Sequence, residues 1–217
     1  VNLGYAAGSF HCLLDSDLYL PASWAEDRVR CREAQIPDGV VYRPKWQIAL
    51  DLLNRSLSED LRFRWLTGDE GYGRFPQFRA GVSAAGLLYV LEVPRTLTGW
   101  TKMPDVVPAG FQGPMGRPLA KPRVAPGGRK ARAVNALWRR GGPTWSDYRI
   151  KDTEKGPLVW RVRESPFYPT DHGIPGEALR IIVAENVLDG EMKYFLSNAP
   201  GAVPLKDLLA VAFSRWH

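Results

Sequence analysis

The stretch FRWLTGDEGYG, Phe63–Gly73, runs from apolar and aromatic residues directly into Gly-Asp-Glu-Gly. Taken from Leu61, LRFRWLTGDEGYG reads as a strand whose far tip carries Asp69 and Glu70. In sheets flanked by helices, ligands bind outside the carboxyl ends of strands, where loops gather polar groups. Asp69 therefore has two readings. Asp favours turns and helix N-caps, which would make it a local structural device. A carboxylate held still at a strand end also suits Mg²⁺, with other carboxylates and phosphates completing the shell. Gly68 admits close approach of another backbone or a ligand. Glu70 is expected to point away.

Around this strand the chain alternates strand and helix. VNLGYAAG and FHCLLDSDLYLP are apolar-rich runs separated by Gly8 and Ser9, the pattern of an antiparallel hairpin. KWQIALDLLNRSLSE follows Pro44 and sets Trp46, Ile48, Ala49, Leu52, Leu53 and Leu57 on one helical face. FPQFRAGVSAAG reads as a helix ending at Gly86, and LLYVLEVP as a buried strand. Strands LVWRVRESPFY, ALRIIVAENV and KYFLSNA follow later, and VPLKDLLAVAFSRWH closes with a helix. Its stripe is Leu205, Leu208, Leu209, Ala212, Phe213 and Trp216. The order describes an α/β domain: a mixed sheet with helices on it, interrupted by an insertion. The 217 residues, 45% of them apolar, suffice for one substantial core.

The insertion has a charge signature. From Val106 to Ser146 there is no Asp or Glu, while Arg117, Lys121, Arg123, Arg129, Lys130, Arg132, Arg139 and Arg140 contribute +8 of a chain whose net charge is +6. Prolines and glycines recur through its first part, leaving little regular structure before about Lys130. Unbroken charge of one sign repels itself unless a counter-charge arrives, so a polyanion is the expected partner, against the plainer reading of a solvated linker. Such residues neutralise phosphates rather than read bases. Trp100, Trp138, Trp145 and Trp160 lie in or near this insertion and either pack or stack on unpaired bases.

Several classes are disfavoured. No run of 18 apolar residues exists, so no membrane-spanning helix is expected. Cys12 and Cys31 lack metal-ligand spacing and read as idle or buried thiols in a reducing compartment. No Ser/His/acid set surrounds GYAAGSF, and His172 and His217 have no catalytic partner in sequence. Asp15 and Asp17 alternate on one strand face and could mimic a carboxylate pair, with a structural role preferred. The chain opens without Met or a signal peptide and closes on a helix without a stop signal, the expectation being an internal fragment of a longer protein.

LLDSDLYLPASWAEDRVRC, KWQIALDLL, RWLTGDEGYGRFPQFR, LLYVLEVP, KGPLVWRV and KYFLSNAP with LLAVAFSRWH together resemble the transposases of bacterial insertion sequences that carry a DDE superfamily endonuclease domain. The resemblance covers nearly the whole chain apart from the Pro/Gly-rich loop. It implies an RNase H-like fold, a five-stranded mixed sheet flanked by helices, with three carboxylates holding two Mg²⁺ or Mn²⁺ ions. Asp69 is similar to the family's second Asp and so to a metal ligand. Arg215 matches the Arg of a signature written Tyr, two residues, Arg, three residues, Glu, six residues, Lys. Ala212 stands where that signature has Tyr, and the Glu would fall at position 219. No residue matches the first Asp.

On that resemblance, residues 1–103 are the first part of the core, 104–203 the insertion with its basic loop and β-strands, and 204–217 the start of the helix that would carry the Glu. It implies cleavage and strand transfer of DNA at transposon ends and target by a homodimer assembled on DNA, in the bacterial cytoplasm at the nucleoid. One carboxylate of three leaves the fragment itself expected to be inactive. A non-catalytic nucleic-acid-binding module, or the relic of a decayed insertion element, would share the basic loop without needing Asp69.

Overall fold

A computed structural model of the chain describes all residues except 9, 112–116, 138–143, 154–155 and 216–217, together with the side chain at 153. The elements begin with strands β1 (Asn2–Ala7) and β2 (Phe10–Ser16), short helices α1 (Ala22–Ala25) and α2 (Arg28–Glu33), and the long helix α3 (Lys45–Ser58). Then come β3 (Trp65–Gly68), α4 (Glu70–Gly73), α5 (Pro76–Ala84), β4 (Leu88–Glu92) and β5 (Thr98–Trp100). The basic segment contributes β6 (Val106–Val107), β7 (Arg123–Val124) and β8 (Arg132–Ala133). The remainder is β9 (Ser146–Thr153), β10 (Gly156–Asp171), β11 (Ile174–Pro175), β12 (Leu179–Asn186), β13 (Met192–Ser197) and α6 (Leu205–Phe213). The chain is thus α/β, with a large mixed sheet and helices. Its contacts divide it into two compact units, Val1–Leu66 with Phe75–Leu87, and Thr67–Arg74 with Leu88–His217.

In the first unit β1 and β2 pair antiparallel from Asn2↔Ser16 to Ala7↔Phe10, as the two apolar-rich runs on either side of Gly8 and Ser9 predict. Helix α3 packs on both strands and on α5, burying Ile48, Leu52 and Leu53 at the expected helical spacing. Helix α5 has Pro76 in its first turn, buries Phe78 and Val82, and is followed by Gly86 at φ 75°. Asp15 and Asp17, near and just beyond the end of β2, are answered by Arg43, which precedes α3, and by Arg55 of α3. Arg43 bonds Asp17 at 2.8 Å and Asp51 at 3.0 Å, while Arg55 lies 2.9 Å from Asp15 and 3.8 Å from Asp17. The pair is therefore an ion-paired clamp between hairpin and helix. Cys31 is buried and donates its thiol to the Trp24 carbonyl oxygen; Cys12 is exposed, and both are free.

The second unit is built on β10, which runs for 16 residues. Its first half pairs with β9, its middle with β12, and its far end with β5 and β11, all antiparallel. The buried positions change parity along it, from Trp160 and Val162 to Phe167 and Pro169, so one strand serves two stretches of sheet. Among the described residues the sheet has nine strands, in the order β3-β4-β13-β12-β10-β5-β8 with β9 and β11 also on β10. This exceeds the five strands that the resemblance implies. The cause is β13, which pairs with β4 and so joins the strands after the basic segment to the same sheet. Tyr89, Val90 and Leu91 of β4, Ile181–Ala184 of β12 and Phe195 and Leu196 of β13 form its buried centre. Such strands, covered on both faces, read as continuous apolar runs. Helix α6 sets Phe213 against Trp160 at 4.9 Å and Phe195 at 5.7 Å between ring centroids.

Two expectations need correcting. The strand read over residues 61–73 holds only from Trp65 to Gly68; Asp69 then starts α4. Its side chain bonds a nearby backbone N–H, and the glycines beyond are poor strand formers, so a helical turn wins. The close backbone approach lies at Gly73, not Gly68. A Cβ on Gly68 would meet the flexible Leu91 side chain at 3.1 Å, whereas one on Gly73 would stand 2.0 Å from the Glu92 carbonyl oxygen. Among the described residues of the segment, regular structure before Lys130 is as sparse as the Pro/Gly pattern predicts, limited to the two-residue pairing of β6 with β7.

Because backbone cannot step aside as a side chain can, Gly73→Ala should destabilise the second unit by about 1–3 kcal/mol, read from urea denaturation. In the first unit, the hydrogen bond from Arg43 outweighs burial and, with the Leu18 N–H and the charges of Arg43 and Arg55, holds the Asp17 carboxyl below the usual carboxylate range. A lowered folded-state value means that this stability is fully present above about pH 4, the unfolded value, and is lost as pH falls through the folded one. Asp17→Asn should remove roughly 1 kcal/mol at neutral pH, the upper end for partly exposed pairs, and flatten the acid limb of thermal stability against pH.

Candidate functional site

Asp69 follows β3 in extended geometry (φ −80°, ψ 179°) as the N-cap of α4. Its Oδ1 accepts the Gly71 N–H at 2.9 Å, and the residue is exposed. The turn-capping reading of the sequence is thus realised, and the cap bond uses only Oδ1. Glu70 occupies the first turn of α4, also exposed. Tyr72, half-buried on the same turn, has its phenol pushed above its ordinary range, first by burial and then by the charge of Asp69.

Arg215 stands two residues beyond α6, in the same unit as Asp69. Its Nη2 lies 3.7 Å from Glu92 Oε2, and Lys193 Nζ lies 3.3 Å from Glu92 Oε1. Glu92 ends β4 and is the residue whose carbonyl lies under Gly73 of α4. The turn that starts at Asp69 and the Arg215 guanidinium therefore meet at one strand end, from the backbone side and the side-chain side of Glu92. Sequence reasoning passed over Glu92, although the one charged residue of LLYVLEVP was the available signal. Ala212, at the position of the signature's Tyr, is fully buried.

As a metal site this arrangement fits in part. Asp69 offers an exposed carboxylate with one oxygen outside the cap bond, enough for one corner of a Mg²⁺ shell that phosphates and water complete. It does not fit two ions: among the described residues no group of three His, Cys, Asp or Glu side chains could hold a metal. Glu92 does not supply the lack, because its carboxylate is engaged by Lys193 and Arg215.

The basic residues lie on the same unit's surface. Arg117, Lys121, Arg123, Arg129, Lys130 and Arg132 are all exposed, and Arg139 and Arg140 lie outside the described residues. A cleft of about 400 Å³ opens beside β5 and β8, lined by Trp100, Lys102, Arg129, Lys130, Arg132 and Leu137 along with the adjoining backbone. Lys102 was not singled out from sequence, since it precedes the acid-free stretch. Trp100 is buried and donates its indole N–H to the Arg129 carbonyl oxygen at 2.6 Å. Trp160 is buried against Phe213, and Trp145 lies under the Arg163 guanidinium at 4.0 Å. These three rings pack; Trp138 and His217 lie outside the described residues. His172 is exposed at a turn, 3.7 Å from Asp171 and in no catalytic set.

Among the described residues, no helix is long and apolar enough to cross a membrane. No curated protein matches the chain. Residues 1–157, well over half of its length, match the family described as DDE superfamily endonuclease. With that match spanning the hairpin, Asp69 and the basic segment, the chain belongs to the DDE superfamily endonucleases, consistent with a transposase, whose substrate is DNA and whose chemistry typically uses divalent metal.

Proposed function

We propose that this chain is the Asp69-bearing part of a bacterial insertion-sequence transposase, one that cuts DNA at element ends and joins it to a target. The observation that carries the reading is the position of Asp69: an exposed carboxylate at the end of β3, a half-buried strand in the family-matched region. Asp69 is the metal ligand in this reading, for one of two Mg²⁺ or Mn²⁺ ions, and Arg215, beside Glu92 at the end of β4, is the phosphate-facing cation. Residues 1–103 are the first part of an RNase H-like core, 104–203 an insertion, and 204–217 the opening of the next core helix. The cations from Arg117 to Arg140 hold the DNA, and a homodimer assembles on it at the nucleoid.

In two-ion phosphoryl transfer the cations lie about 3.5–4 Å apart and must be held in line by several carboxylates. One carboxylate cannot impose that geometry. Residues 1–217 alone are therefore expected to nick element-end DNA at background rate, and clear Mg²⁺-dependent turnover by them would refute this. In an intact transposase, Asp69→Asn tests the residue cleanly, because Asn caps helices as well as Asp does and keeps an oxygen for the Gly71 N–H. Cleavage should fall to background while DNA affinity and thermal stability hold; retained cleavage would remove Asp69 from the site.

A further inference from the structure

Within the second unit, Lys102, Arg129, Lys130 and Arg132 line one cleft, and no Asp or Glu lines it. None of these cations is ion-paired among the described residues, whereas Arg149, Arg161, Arg180, Lys193 and Arg215 each have a carboxylate within 4 Å. Like charges gathered in this way repel one another until an anion enters. We infer that this cleft seats the sugar–phosphate backbone of a DNA strand, with Lys102 and Arg132 as two of its phosphate contacts. The inference rests on the DNA-cleaving reading above and adds a binding site separate from Asp69.

The frame of the cleft is fixed. β5 and β8 pair in register with Gly99 opposite Arg132, and a Cβ on Gly99 would lie 2.4 Å from both the Phe167 ring and the Tyr168 carbonyl oxygen. The floor beside Arg132 is therefore backbone only. The Trp100 indole bond to the Arg129 carbonyl ties the segment carrying Arg129 and Lys130 to the end of β5. A volume of about 400 Å³ falls in the range of sites for whole small molecules and exceeds what a lone phosphate fills. With Trp100 buried, its ring cannot stack on a base, so the contacts are to phosphate and sugar and carry no sequence preference.

The test measures binding of a labelled duplex to residues 1–217 in EDTA across a salt series. Each phosphate contact contributes about 0.9 to the slope of log K against log salt, so Lys102→Ala with Arg132→Ala should make the slope shallower by about 2. Lys206→Ala, at an exposed cation on α6 that does not line the cleft, should leave it unchanged. Arg132→Lys should keep the slope, and thermal unfolding of each variant confirms that it is folded. An unchanged slope in a folded double variant overturns the inference. So does competition by inorganic phosphate or a nucleoside monophosphate at the concentration of the duplex phosphates, which would make this a small-anion pocket. Retained cleavage by Asp69→Asn in the intact transposase, with the slope change intact, would reject only the catalytic reading; cleavage lost in that variant with an unchanged slope would reject only the cleft.

Discussion

Helix α4 lies on the end of β4 so closely that the position facing the Glu92 carbonyl oxygen has room for hydrogen alone, supplied by Gly73. That contact sets where the chain must turn after β3, and with it where Asp69 can stand. Four residues of helix separate Asp69 from the next loop, too few to hold the turn by themselves, so the cap bond and the packing on β4 act together. Glu92 extends the constraint through its side chain. Lys193 from β13 and Arg215 from beyond α6 both close on its carboxylate, linking three segments distant in sequence at one strand end. Two cations around one acid also settle which carboxylate is available: Glu92 is spent on structure, while Asp69, exposed and capped through a single oxygen, keeps the other.

The unit's charges divide in a similar way. Across the sheet, acids and bases answer each other, as in Glu164 with Arg180 at 2.6 Å and Asp147 with Arg161 at 3.4 Å. Arg180 also donates to the Pro200 and Val203 carbonyl oxygens, which fixes the approach to α6. The Arg180 pair, partly buried and bonded to backbone as well, holds geometry better than an isolated surface pair such as that of Arg161 does. Between Val106 and Ser146 no acid exists to play this part. Its cations can be balanced only by something other than neighbours in that segment, and Glu92, Asp147, Asp152 and Glu164 of the sheet are already engaged.

Much of this was legible in the sequence where the signal is periodic and local. Helices α3 and α6 follow from spacing, because burial of one face imposes it, and the hairpin, β12 and β13 from apolar runs bounded by turn residues. The strand through Gly73 was overread: hydrophobic run and glycine turn adjoin, and only the Asp69 side-chain bond decides where one ends. The 16-residue β10, with its change of buried parity, was hidden because successive stretches of it pair with four different strands, neighbouring β9, β11 and β12 and the distant β5. At the site, the family motif singled out Asp69 and Arg215. Glu92 was missed, since an acid ending an apolar strand looks like ordinary surface, and Lys102 was missed because Asp105 separates it from the acid-free run.

The two roles that the sequence leaves open for Asp69, cap and ligand, do not compete. A carboxylate has two oxygens and room for several partners. Bonding one of them to the Gly71 N–H restricts the side-chain rotation that an exposed Asp otherwise keeps, so less freedom remains to be lost when a cation binds the other. Ligating carboxylates are commonly oriented by such hydrogen bonds from the surrounding shell. A turn that looks merely structural is in this sense what a metal-binding acid requires, and the buried run of β4 beneath it, with a glycine at the contact, is what keeps that turn in place.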